Sequence, residues 1–158
     1  ERLLNRRVLV KAFLWYGLMA SIVAMAGYFL VNLLAGWPGI PLAGLGNDSD
    51  PVYIQATTMT LAGIIFAQIG QVMNCRTETT SVFKIGLFSN RRILIGIVFE
   101  VVLLVILTTP LQGVFHTGPL AWQDYAFLCC IPPVVIAIEE IRKAWLRRRE
   151  RARVAAKR

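Results

Sequence analysis

One carboxylate, Glu100, stands in an otherwise aliphatic stretch of this 158-residue chain. An ionised carboxylate in an apolar medium is costly unless it is paired, hydrated or protonated, so such a residue is a candidate for function. Glu100 falls eight residues after Arg92, and Gln68 falls eight residues before Arg76 in the preceding apolar stretch. At about 1.5 Å per helical residue, both sit roughly 12 Å inside the nearest cation. On sequential antiparallel helices they reach matching depth. Their oxygens suit a site for a monovalent cation or a proton, although hard cations generally want six or more oxygens. The same two groups equally suit a hydrogen-bonded structural pair that fixes helix rotation, and the sequence leaves both readings open.

The other chemically capable groups are sparser. Glu139 and Glu140 lie one turn from Arg142 and Lys143, and are expected to form exposed ion pairs of small individual worth. His116 is alone in an external loop, without Cys, His or acidic neighbours at ligand spacing, and is expected to be a solvated loop residue and not a metal ligand. Cys75, Cys129 and Cys130 fit neither a disulfide framework nor a zinc site and are expected to be packing residues. There is no phosphate-binding glycine loop, nucleophile elbow or HExxH motif. No catalytic residue is assigned.

The elements that must position these groups are four apolar runs, 13–34, 52–73, 93–109 and 122–141, each near the roughly 20 helical residues that cross a bilayer. Hydrophobic residues make up 56% of the chain, and the mean hydropathy is +0.60, which points to an all-α transmembrane four-helix bundle rather than a soluble domain. The third run is short and is expected to begin within Arg91 and Arg92. The seventeen Lys and Arg residues fall before the first run, between the second and third, and after the fourth, with none in the other two connections. That alternation follows the positive-inside bias and predicts both termini on the cytoplasmic side. The net charge of +8 is therefore assigned to anionic lipid headgroups, not nucleic acid, because the cations flank apolar spans instead of forming one basic face. One membrane domain, 1–158, with a basic cytoplasmic tail, 142–158, accounts for the whole sequence.

Local signals refine the runs. Gly17, Ser21, Ala24 and Gly27 recur at spacings of three and four, a face on which another helix can approach closely. Trp37, Pro38, Gly39 and Pro41 end the first run. Asp48, Ser49 and Asp50 before Pro51 predict an N-cap and first turn for the second. Thr57, Thr60, Gln68 and Gln71 form a polar stripe that should face protein. The connection 74–92 should be structured. Pro132 and Pro133 should kink or locally unwind the fourth run, while Trp122, Tyr125 and Trp145 fit an interfacial aromatic belt. Glu1 stands where an initiator Met is expected, and no signal peptide precedes the first span, so the chain is expected to belong to something longer.

The stretch Asn74-Cys-Arg-Thr-Glu-Thr-Thr-Ser-Val-Phe-Lys-Ile-Gly-Leu-Phe-Ser-Asn-Arg-Arg, then Pro110-Leu-Gln-Gly-Val-Phe, and then Glu139-Glu-Ile-Arg-Lys with its trailing arginines, resembles the C-terminal membrane region of type II P-type cation-transporting ATPases. The resemblance implies the seventh to tenth membrane helices of an ATP-driven pump in the plasma membrane. The phosphorylated Asp, the ATP and Mg2+ sites and the principal ion ligands would then lie in upstream domains and helices, which become partners along with membrane lipid and the transported cation. Gln68 matches a Gln on the eighth helix of sodium/potassium pumps, and a Glu ligand in calcium pumps. Glu100 matches the first of two adjacent Glu residues on the ninth helix of sodium/potassium pumps; the second is Val101 here. The likeness also implies a possible cytoplasmic docking role for Glu139, Glu140, Arg142 and Lys143. Two rivals stand beside this reading: a free-standing four-helix accessory or assembly subunit without ATPase linkage, and a small ion-conducting bundle centred on Glu100.

Overall fold

The computed structural model describes residues 10–44, 49–77 and 79–156. Arg2, Arg6, Arg7 and the capping candidate Asp48 lie outside the described residues. The described chain is helical, with no strand among those residues. A π-type turn, Lys11–Tyr16, leads into α1, Gly17–Ala35, and α2 spans Pro51–Asn74. A single turn, α3, Val82–Ile85, precedes α4, Arg91–Thr108. A second short turn, α5, Gln112–Phe115, comes before the long α6, Trp122–Ala155.

Helix ends follow the sequence signals. Asp50 caps α2, its Oδ1 accepting from the Val52 amide at 2.9 Å with Pro51 in the first turn. Asn90 does the same for α4, which begins at Arg91 as the short third run requires. At the far end of α1, Gly36 takes φ 113°, a left-handed closure that suits glycine, and its amide returns to Leu33.

α2 is the hub. Ala56, Ala62, Gly63, Ala67 and Gly70 are all buried on it, and their small size lets two helices close in. α1 runs antiparallel across one side, where Gly27 meets Met59 and Gly63 meets Val23 and Ala24. α6 runs parallel on another, and a Cβ at Gly70 would come within 2.8 Å of Val135 Cβ. Of the small residues expected on the α1 face, Ala24 and Gly27 are buried against α2. Ser21 is instead exposed, its hydroxyl bonded to its own helix at Gly17. α4 lies at the periphery and buries Leu104 and Thr108, with Val98, Phe99, Val102 and Val105 on its exposed side.

Two further expectations change. The prolines do not unwind α6: the helix is continuous through Pro132 and Pro133 for 34 residues, about 51 Å at 1.5 Å per residue. Against a hydrocarbon core of about 30 Å, the basic tail as far as Ala155 is a helical continuation of the fourth span. The three cysteines are exposed, not packed inside the chain. By length and composition, 13–35 and 51–74 are apolar enough to cross a membrane on their own. Arg91, Arg92 and Glu100 make α4 more charged.

Candidate functional site

Glu100, Leu104 and Thr108 recur every four residues, and that spacing puts them on one stripe of α4, the one turned toward the bundle. Glu100 is half-buried there, and its Oε2 is buried with no hydrogen-bond partner. Gln68 lies on the exposed side of α2 and makes no hydrogen bond among the described residues. The expected Gln68–Glu100 hydrogen bond is thus not formed. Each presents an uncommitted polar group in an apolar region, where such groups require partners. The rest of the polar stripe divides. Thr57 and Thr60 return their hydroxyls to Tyr53 and Ala56 of their own helix, whereas Gln71 donates to the Tyr16 carbonyl of the preceding π-type turn at 2.8 Å.

The charged group midway along α6 is not a set of exposed pairs. Glu139 is fully buried. It accepts from Trp15 Nε1 at 2.9 Å, Tyr16 Oη at 3.1 Å and Arg142 Nε and Nη2 at 2.8 and 2.5 Å. Lys143 is equally buried, donating to the Asn74 carbonyl at 3.0 Å and lying 3.9 Å from Glu140. Glu140 in turn accepts from the Val82 amide at 2.8 Å, at the start of α3. Arg147 donates to the Thr79 carbonyl, and Arg76 to Gly86 and Ser89, so the described residues of the connection are laced to α6 and to one another. These residues form an internal latch tying the start of α1, the end of α2 and the connection to α6. The candidate docking groups Glu139 and Lys143 face inward. Sequence adjacency alone suggested the exposed pairing; the buried ring of donors comes from the antiparallel register of α1 against α6, which spacing within one helix does not reveal.

A second polar tie holds the opposite end. Asp124, fully buried, accepts from Gln55 Nε2 at 2.7 Å and from the Ala121 amide at 2.8 Å. Thr58 accepts the Gly118 amide at 2.8 Å, and Asn32 receives the Ala43 amide at 2.9 Å. Sequence reasoning passed over Trp15, Tyr16, Asn32, Gln55 and Asn74. The available signal was a polar side chain at corresponding depths on different runs. His116 is exposed, and no group of three or more His, Cys, Asp or Glu residues able to hold a metal exists among the described residues.

An all-helical chain with apolar outer faces, polar ties at both ends and aliphatic middles is a helical membrane domain. It belongs to the family of the C-terminus of cation transporting ATPases, whose model matches residues 1–145. It is 38% identical over 96 residues to calcium-transporting ATPase 1 of Schizosaccharomyces pombe, covering 60% of this chain and 11% of that protein. Calcium-transporting ATPase type 2C member 2 of Mus musculus is 30% identical over 155 residues, 97% of this chain and 15% of the relative. Calcium-transporting ATPase type 2C member 1 of Homo sapiens is 38% identical over 97 residues, 60% of this chain and 11% of the relative. The chain therefore spans 11 to 15% of the length of these relatives. Nothing in the matches favours a stand-alone accessory subunit.

Proposed function

We propose that this chain is the C-terminal membrane part of an ATP-driven cation pump, with calcium as the leading cargo, and that it braces the ion pathway from the side. The observation that carries the reading is the match of residues 1–145 to the pump family, and the names of the relatives favour calcium. The latch fits a brace. With α1, α2 and α6 tied by buried polar contacts at both ends, they move as one body while helices elsewhere in the pump switch access. ATP and Mg2+ act in other domains of that pump, and this chain contributes no residue to them. The Lys and Arg alternation supports both termini on the cytoplasmic face of the membrane, and the membrane in question is proposed to be the plasma membrane.

Glu100 and Gln68 are the groups this part offers to the pathway. An unpartnered carboxylate oxygen on α4 and an uncommitted amide on α2 gain partners, or a hydrated cation, when further helices pack against those faces. The test is ATPase activity of the full-length protein across a panel of cations, with Glu100→Gln and Gln68→Ala alongside. Cation-stimulated hydrolysis whose ion or pH dependence shifts in Glu100→Gln is the expected result. Hydrolysis indifferent to every cation overturns the pump reading, and an unchanged ion and pH profile in Glu100→Gln removes that residue from the pathway.

A further inference from the structure

Beside the latch, residues 79–84 and the extension of α6 border a cavity of about 220 Å³ lined by Thr79, Thr80, Ser81, Lys84, Arg147 and Arg151. Three cations and three hydroxyl-bearing residues line it, and no carboxylate among the described residues does. Glu150 belongs to the neighbouring groove that shares Arg147 and Arg151. At about 30 Å³ per water, the space holds several waters or one phosphate group. Arg147 is held in place by its bond to the Thr79 carbonyl, so its guanidinium is positioned before any ligand arrives. Lys84 and Arg151 are exposed and make no hydrogen bond or ion pair among the described residues, leaving their donors available. Planar guanidinium groups with a nearby ammonium and hydroxyls are the donor set that phosphate oxygens take.

The surroundings say where the phosphate comes from. Phe83 and Phe88, on either side of Lys84 in the same connection, are 63% and 75% exposed. Trp145, one turn before Arg149, carries that guanidinium 3.6 Å above its ring. Exposed aromatic rings interleaved with cations mark a surface at the membrane interface, where rings enter the acyl boundary and cations meet headgroups. Arg147 and Arg151 lie four and eight residues beyond Lys143, about 6 and 12 Å further along the helix axis, within headgroup range.

We propose that this cavity is a binding site for a phosphate group, presented by the headgroup of an anionic phospholipid in the adjacent leaflet. The inference rests on the membrane reading but not on pumping, so a cation-stimulated pump without this lipid preference sinks it alone. The experiment uses the full-length protein purified in detergent, titrated with phosphatidylglycerol, phosphatidylcholine or inorganic phosphate, with bound lipid read by native mass spectrometry. Near a membrane surface each cation contributes to lipid attraction on a scale equivalent to about fivefold in affinity. Saturable phosphatidylglycerol binding is expected to weaken about fivefold in Lys84→Gln and in Arg151→Gln, with phosphatidylcholine bound weakly throughout. Because Arg147 also braces Thr79, those two variants avoid a folding defect. The double variant Arg148→Gln/Arg149→Gln, which removes twice the charge of either cavity variant but outside the cavity, should retain binding. Equal losses in that control, no loss in the cavity variants, or inorganic phosphate binding while the lipid does not, each overturns the proposal. Full wild-type indifference to anionic lipid, which would follow if an acidic segment of the protein's own cytoplasmic domains filled the cavity, overturns it as well.

Discussion

Removing the Glu139 carboxylate tests whether the latch holds the bundle. Four hydrogen bonds converge on it, two from the Arg142 guanidinium and one each from Trp15 and Tyr16, all at 3.1 Å or less. Breaking a buried ion pair from one side costs about 3–5 kcal/mol, because the remaining charge loses its counter-charge. Arg142 retains 21% side-chain exposure and can recover some hydration, which sets the expectation for Glu139→Ala at the lower end, about 3 kcal/mol. Trp15→Phe removes one bond to a charged acceptor and is expected to cost about 1.5–3 kcal/mol. In the Glu139→Ala background that acceptor is already gone, so Trp15→Phe should cost little more, and the double-mutant cycle should return a coupling above about 1 kcal/mol. Replacing both members, Glu139→Met with Arg142→Met, should recover much of the loss, since a buried pair adds little over apolar residues of similar volume. Reversible unfolding of the full-length protein in mixed micelles, followed by near-ultraviolet circular dichroism, measures all four variants. Additive effects within about 0.5 kcal/mol, or a Glu139→Ala cost below about 1 kcal/mol, would refute the buried latch and restore the view of these residues as solvated pairs.

Three other outcomes follow from the same geometry. Gly70→Ala places a Cβ 2.8 Å from Val135 Cβ and 3.1 Å from the Pro132 carbonyl, so it should part α2 from α6 and cost about 1–3 kcal/mol in the same unfolding assay. Asn32→Ala removes the acceptor of the buried Ala43 amide and should cost about 1–3 kcal/mol, visible as faster proteolysis within 36–50. Cys75 and the pair Cys129 and Cys130 are all exposed, but only Cys75 sits at a predicted aqueous boundary. In sealed right-side-out vesicles a membrane-permeant aqueous maleimide should label Cys75 while an impermeant one does not, and Cys129 and Cys130 should react only with lipid-soluble reagents.

The architecture was legible because apolar length and charge alternation are one-dimensional signals. Four runs, the Arg91 start of the third, the Asp50 cap and the structured 74–92 connection all follow from local composition. Pro132 and Pro133 do not interrupt α6, so of the two expected outcomes local unwinding is the one that does not occur. Proline weakens a helix locally, but here α6 packs along α2 on both sides of the pair, through Leu128, Ile131 and Val135, and tertiary burial keeps it continuous. The latch was not legible, because Trp15 and Tyr16 are separated from Glu139 by more than 120 residues and meet it only through the register of the first span against α6. Exposure misled. A carboxylate beside arginines reads as a surface pair within one helix, yet Trp15 and Tyr16 cover Glu139 from another.

The distribution of satisfied and unsatisfied polar groups distinguishes the parts of the bundle that are complete from those that are not. At the basic end, Glu139 and Lys143 find their partners inside the chain, as buried charges must if the bundle is to be stable. On α4, Glu100 Oε2 is buried without a partner, and on α2 Gln68 is left exposed in an apolar region. A domain that spends long-range contacts on Glu139 has no physical reason to leave Glu100 and Gln68 unanswered in lipid, unless their partners come from outside it. On the proposed pump reading, the latch marks the side of the bundle that is already complete, and Glu100 with Gln68 marks the side that further helices, or a cation, would complete.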